Sequence, residues 1–60
     1  MTVVQLLGAL GENQDFIIKT KEGETIDYKT AAEHKAEVLG VVAVRENLIR
    51  IDSNFSWYKI

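Results

Sequence analysis

The chain contains no cysteine. Small folds usually compensate for a thin core with disulfides or a thiolate metal site, and neither is open here. At sixty residues, a single domain buries only about 60% of the surface its extended chain exposes and keeps a few kcal/mol of stability. Such a chain must hold itself together by packing alone or by pairing with another copy. Self-association is therefore an expectation from the outset, and one domain spanning residues 1–60 is all the length allows.

The composition, 47% hydrophobic and 27% charged, is that of an ordinary globular protein rather than a disordered, collagenous or coiled-coil chain. Seven Lys and Arg stand against nine Asp and Glu for a net charge of -2, with the signs interspersed. That balance shows neither a duplex-DNA footprint nor a polyacidic mimic of one. Met1-Thr2-Val3-Val4 carries no basic leader, and the longest uncharged stretch, Met1 to Gly11, is too short to cross a bilayer. A cytoplasmic protein that does not enter the membrane is expected.

Thr2-Val3-Val4-Gln5 has capping-box spacing, Val3, Leu6, Leu7 and Leu10 share one helical face, and Gly11 sits where a left-handed terminator belongs. The spacing predicts a helix over Thr2–Leu10, although Gly8 costs roughly 1 kcal/mol relative to Ala inside a helix and the paired valines would suit a strand. Asp15–Thr20, rich in β-branched and aromatic residues, predicts a strand. Lys21-Glu22-Gly23-Glu24 supplies a turn, and Thr25–Lys29 a return strand. Thr30-Ala31-Ala32-Glu33 repeats the capping spacing, so Ala31–Leu39 reads as a second short helix ended by Gly40, or as a loop. Val41–Arg45 and Leu48–Asp52 form a second hairpin around Glu46-Asn47, where Asn47 can take a positive φ. A last strand is expected over Phe55–Ile60.

Chemistry-bearing patterns are sparse. His34 is the only histidine and has no thiolate or second imidazole to complete a metal shell. Glu12, Asp15, Glu22, Glu24 and Asp27 cluster around the first hairpin, but their spacing fits no calcium loop, and so short a chain can hardly build a cleft that desolvates one acid beside another. They read as solvated turn and strand faces. Gly8-Ala9-Leu10-Gly11 lacks the phosphate-loop lysine and the third glycine of a dinucleotide site. No nucleophile and base can be paired, so no catalytic residue, no cofactor and no metal ligand are expected, and the chain reads as non-enzymatic.

The carboxy-terminal segment is denser in information. Phe55, Trp57 and Tyr58 concentrate aromatic surface within four residues. In a strand, Phe55 and Trp57 face one way while Tyr58 and Ile60 face the other. Three readings fit. The segment is a buried central strand, or an interface for a second copy or another protein made by Phe55, Trp57, Tyr58 and Ile60, or a stacking platform for single-stranded nucleic acid in which Phe55 and Trp57 work with Arg45, Arg50 and Lys59.

Thr2-Val3-Val4-Gln5-Leu6-Leu7, the strand Phe16-Ile17-Ile18, Val41-Val42-Ala43-Val44 and Leu48-Ile49-Arg50-Ile51 resemble in layout the short uncharacterised proteins of phages and mobile elements of Gram-positive bacteria. Such proteins are mostly of unassigned function, and some of the small ones bind and block a host protein, which is the role that resemblance implies. The hairpin Val44-Arg45-Glu46-Asn47-Leu48-Ile49 is loosely similar to Sm-like and SH3-like barrels, without the glycine those barrels place at the turn; a nucleic-acid-binding module is what that likeness implies.

The sequence thus predicts an α+β domain: an amino-terminal helix, a second short helix at 31–39 in the helical reading, and an antiparallel sheet of four or five strands. Ile17, Ile26, Tyr28, Val42, Val44, Ile49 and Ile51 are expected on its helix-facing side. The expected function is that of a self-associating interaction protein, a homodimer.

Overall fold

A computed structural model describes residues 1–58. The order of elements is α1 (Val3–Leu10), β1 (Asp15–Lys19), β2 (Thr25–Ile26), α2 (Tyr28–Glu33), β3 (Val38–Arg45) and β4 (Leu48–Ser53). The class is α+β, with two short helices against one sheet.

Helix α1 starts and stops where its sequence places the signals. The Gln5 N–H donates to Thr2 Oγ1 at 3.1 Å and the Thr2 N–H donates to Gln5 Oε1 at 2.8 Å, so two of the donors that a helix start leaves orphaned are satisfied reciprocally. Gly11 ends the helix at φ 91, a conformation that costs glycine little. Gly23 likewise turns the chain between β1 and β2 at φ 84.

The second helix departs from expectation. It runs over Tyr28–Glu33 rather than 31–39, because Asp27 takes the capping role: the Thr30 N–H donates to its Oδ1 at 2.8 Å. Aspartate caps a helix better than threonine does, and a helix begun there consumes the expected return strand, leaving β2 only Thr25–Ile26. Lys35 at φ 50 breaks the helix and turns the chain into β3, so Gly40 lies inside a strand instead of terminating a helix.

The sheet is mixed, with order β2-β1-β4-β3. β1 pairs antiparallel with β2 and β3 with β4, while β1 and β4 run parallel, Ile18 beside Ile51 and Phe16 beside Ile49. The expected all-antiparallel sheet is thereby corrected. α2 carries the chain across the helix face before β3 begins, so the second hairpin docks through β4 and not through β3.

The register assigns the faces. Ile18, Ile26 and Ile51 lie in one row under the helices and join Val3, Leu7, Ala31 and Ala36 in the core, with Leu6, Val38, Ile49 and Phe55 packed around it. Ile17 and Val42 therefore fall with Arg50 on the helix-free face, a one-residue exchange relative to the expected buried set. Tyr28 and Val44 are also exposed, whereas Ile26 and Ile51 are buried as expected and Ile49 is half-buried. Among the described residues no strand follows Ser53; Asn54 to Tyr58 are irregular, and the rest of the expected last strand, Lys59 and Ile60, lies outside the described residues.

Candidate interaction surfaces

Two groups of exposed apolar side chains stand out, one on the edge strand that runs along β4 and one in the segment that follows it. The first is β3. Its sequence Val38-Leu39-Gly40-Val41-Val42-Ala43-Val44-Arg45 is the most apolar of the four strands, yet it forms the sheet's edge. Uncharged, proline-free β-branched strands are normally found inside sheets, since an open edge presents unpaired N–H and C=O groups to any passing chain. Here Leu39 is 64% exposed, Val44 50%, Val41 46% and Val42 42%.

Part of that edge is already occupied. Thr2 bridges Glu37 in antiparallel fashion, and the Val38 N–H donates to the Met1 carbonyl at 2.9 Å. The Met1 amino group adds an exposed ion pair to Glu37 at 3.3 Å. From Leu39 to Arg45 no further strand among the described residues lies alongside. Register irregularities flank the stretch between Gly40 and Ala43; such bulges bend a strand and blunt its edge, and these leave the middle regular.

The second region is the carboxy-terminal aromatic corner. Phe55 is half-buried at the margin of the core, held by the Lys21 N–H donating to its carbonyl at 2.9 Å. Its own N–H donates to the buried Ser53 Oγ at 3.3 Å, and that hydroxyl donates to the Lys19 carbonyl at 2.8 Å. The Phe55 ring centre stands 4.8 Å from that of His34 and 4.9 Å from that of Trp57, the second pair edge-on. Trp57 stays 55% exposed and Tyr58 63%. Ser56 Oγ donates to Glu22 at 2.7 Å and the Tyr58 hydroxyl to Glu24 at 3.4 Å, so two of the hairpin carboxylates orient this loop.

The expected interface residues are thus split. Phe55 is partly core, Trp57 and Tyr58 are surface, and Ile60 lies outside the described residues. Among the described residues of the nucleic-acid reading, Arg45 stands apart from Phe55 and Trp57. Arg45 pairs with Leu48 at the first residue of β4, whereas Phe55 follows its last, Ser53. At about 3.3 Å per residue those positions stand roughly 17 Å apart along the strand. Arg50 lies between them with its guanidinium on Asp52, at 3.1 Å and 3.3 Å. Lys59 lies outside the described residues.

An open groove of about 330 Å³ beside the end of α1 is lined by Leu7, Gly8, Gly11, Glu12 and Tyr28, with one carboxylate and one phenol between them. Among the described residues no three His, Asp or Glu side chains are placed to share a metal ion. Hydrogen bonding from Thr30, through its side chain and then its N–H, holds the Asp27 carboxyl below its ordinary value, a capping effect at an exposed position. No helix among the described residues is long and apolar enough to cross a membrane.

Sequence reasoning missed one connection. Asn47, read as a turn residue, does take φ 59. It also ties the hairpin tip to the start of β1: its Nδ2 donates to the Asn13 carbonyl at 3.0 Å, and its own carbonyl accepts from the Asp15 N–H at 3.2 Å and from Gln14 Nε2 at 3.1 Å. The polar run Glu12-Asn13-Gln14 was the available signal, but nothing local shows which loop it meets.

No family model matches the chain, and neither the curated proteins nor the solved structures contain a match to it.

Proposed function

We propose that this chain is a small non-enzymatic interaction module that works by accepting a partner's strand along the free edge of β3. The carrying observation is the stretch Leu39–Val44: six consecutive uncharged residues, all but the half-buried Gly40 exposed, at a sheet edge that no strand among the described residues covers. Main-chain hydrogen bonds supply affinity in strand addition, and alternate side chains supply fit. Another copy of the chain and a host protein are the two partner classes; the layout shared with phage and mobile-element proteins supports the latter. Trp57 and Tyr58 offer a second apolar surface in the segment beyond β4.

Retention assays with the wild-type chain, Val42→Lys and Trp57→Ala as baits separate these surfaces. Val42→Lys is expected to lose whatever the wild type retains, its own tagged copies included, because it forces a charge into the strand contact. Retention unchanged by Val42→Lys would overturn the edge reading. If Trp57 is an additional anchor, Trp57→Ala weakens the same associations by about 2 kcal/mol or more; unchanged binding leaves β3 as the operative surface.

A further inference from the structure

We infer that the occupant of the β3 edge is β3 of a second copy, running antiparallel about a two-fold axis that passes Val42; the inference rests on the preceding reading of that edge. Length is the first support. Because Met1 and Thr2 cover the strand's beginning at Glu37 and Val38, the free stretch is Leu39 to Arg45, an ordinary strand's length.

Charge is the second. Each copy carries a net -2, yet Leu39–Val44 contributes none of it, so two copies meet along the part of their surface with no like charges to oppose. Only at the ends do charges enter. Pairing centred on Val42 sets Arg45 of each copy opposite Leu39 of the other, and diagonal to the other's exposed Glu37. Diagonal neighbours of that kind lie within reach of long side chains, and the two-fold repeats this opposite-sign pair at both ends.

Geometry fixes the centre. A two-fold axis normal to the sheet keeps the helices of both copies on one side and pairs only residues that share a face, so the axis must pass a residue rather than the space between two. An axis at Val41 would set Val44 opposite Val38, whose N–H is already donated to the Met1 carbonyl. An axis at Ala43 would run the pairing onto the turn at Glu46 and leave Leu39 bare. At Val42 the regular stretch lies at the centre of the pairing, Val42 with Val42 on the helix-free face and Val41 with Ala43 on the other. The product is a continuous eight-stranded sheet with four helices on one face.

The chain has no cysteine of its own, so single substitutions report the register directly. Residues directly opposite in antiparallel strands have Cα atoms about 4.5–5.5 Å apart, within disulfide range. Val42→Cys is expected to form an intermolecular disulfide under mild oxidation, and an equimolar mixture of Val41→Cys and Ala43→Cys the mixed dimer, while Leu39→Cys alone stays unlinked. Sedimentation of the wild type should show a concentration-dependent dimer, with the dissociation constant raised about a hundredfold in Val42→Lys by like charges meeting on the axis. Efficient linkage through Val41→Cys with none through Val42→Cys overturns the register. A wild type that sediments as a monomer at millimolar concentration overturns the second copy as occupant and leaves strand addition by another protein to the retention assays.

Discussion

The two halves of this molecule are built from the same kind of residue and meet opposite fates. Ile18 and Ile51 at the packed end are 1% and 0% exposed, enclosed between the sheet and two short helices. Val41, Val42 and Val44 on the β3 arm are as apolar and as β-branched, yet they face water. The difference is one of coverage. α1 and α2 hold only eight and six residues, and the sheet outruns them, giving an envelope of 36 × 19 × 16 Å. Apolar composition therefore says how much surface a chain must hide; two short helices limit what is covered on one face, and Val42, on the helix-free face, lies beyond their cover at any length.

Substitution at the two ends should break the comparison most strongly. Ile51→Ala is expected to destabilise the fold by about 3 kcal/mol or more, since it opens a cavity where the core has least room to collapse. Val42→Ala, measured by urea unfolding under dilute conditions, should change the stability of a single copy by less than about 0.5 kcal/mol. Equal costs would mean that the arm is as well packed as the core.

A smaller effect is expected at the joint between the halves. Asn47→Ala removes the Nδ2 bond to the Asn13 carbonyl and places alanine at φ 59, which should cost about 1 kcal/mol. Amide exchange should show the loss as faster opening at Asp15 and Leu48, with Ile18 less affected.

The mildest test is acid. The Asp27 carboxyl is held below its ordinary 3.8 in the folded state, so the stability it contributes is complete above the unfolded value and fades as pH falls through the folded one. Asp27→Asn removes the titrating carboxyl, so it should flatten this part of the acid limb, with any loss of stability seen at neutral pH and none of it in acid below the folded value. An acid limb identical in wild type and variant would show that the cap carries no linked proton.

How much of this was legible in the sequence follows the range of each interaction. Thr2 with Gln5, Gly11, Gly23 and Asn47 declare their roles to neighbours a few residues away, and α1, β1 and the second hairpin follow from them. Asp27 was ambiguous because a strand residue and a helix cap can share the same extended backbone, here φ -87 and ψ 168. The parallel union of β1 with β4 had no local marker, and without it the choice between Ile17 and Ile18 as the buried side chain could not be made. The aromatic corner was visible as a cluster of letters, but that Phe55 leans on His34 depends on where α2 ends.

The β1–β4 pairing also dictates when the molecule can come into being. Until Leu48–Ser53 leave the ribosome, β1 has only the two residues of β2 to bond with, and Ile18 has no lid on its inner flank. The nascent chain therefore holds Ile18 unclaimed on that flank until β4 has been made. Folding then comes as one late, cooperative step limited by a distant closure rather than by the quick local turns.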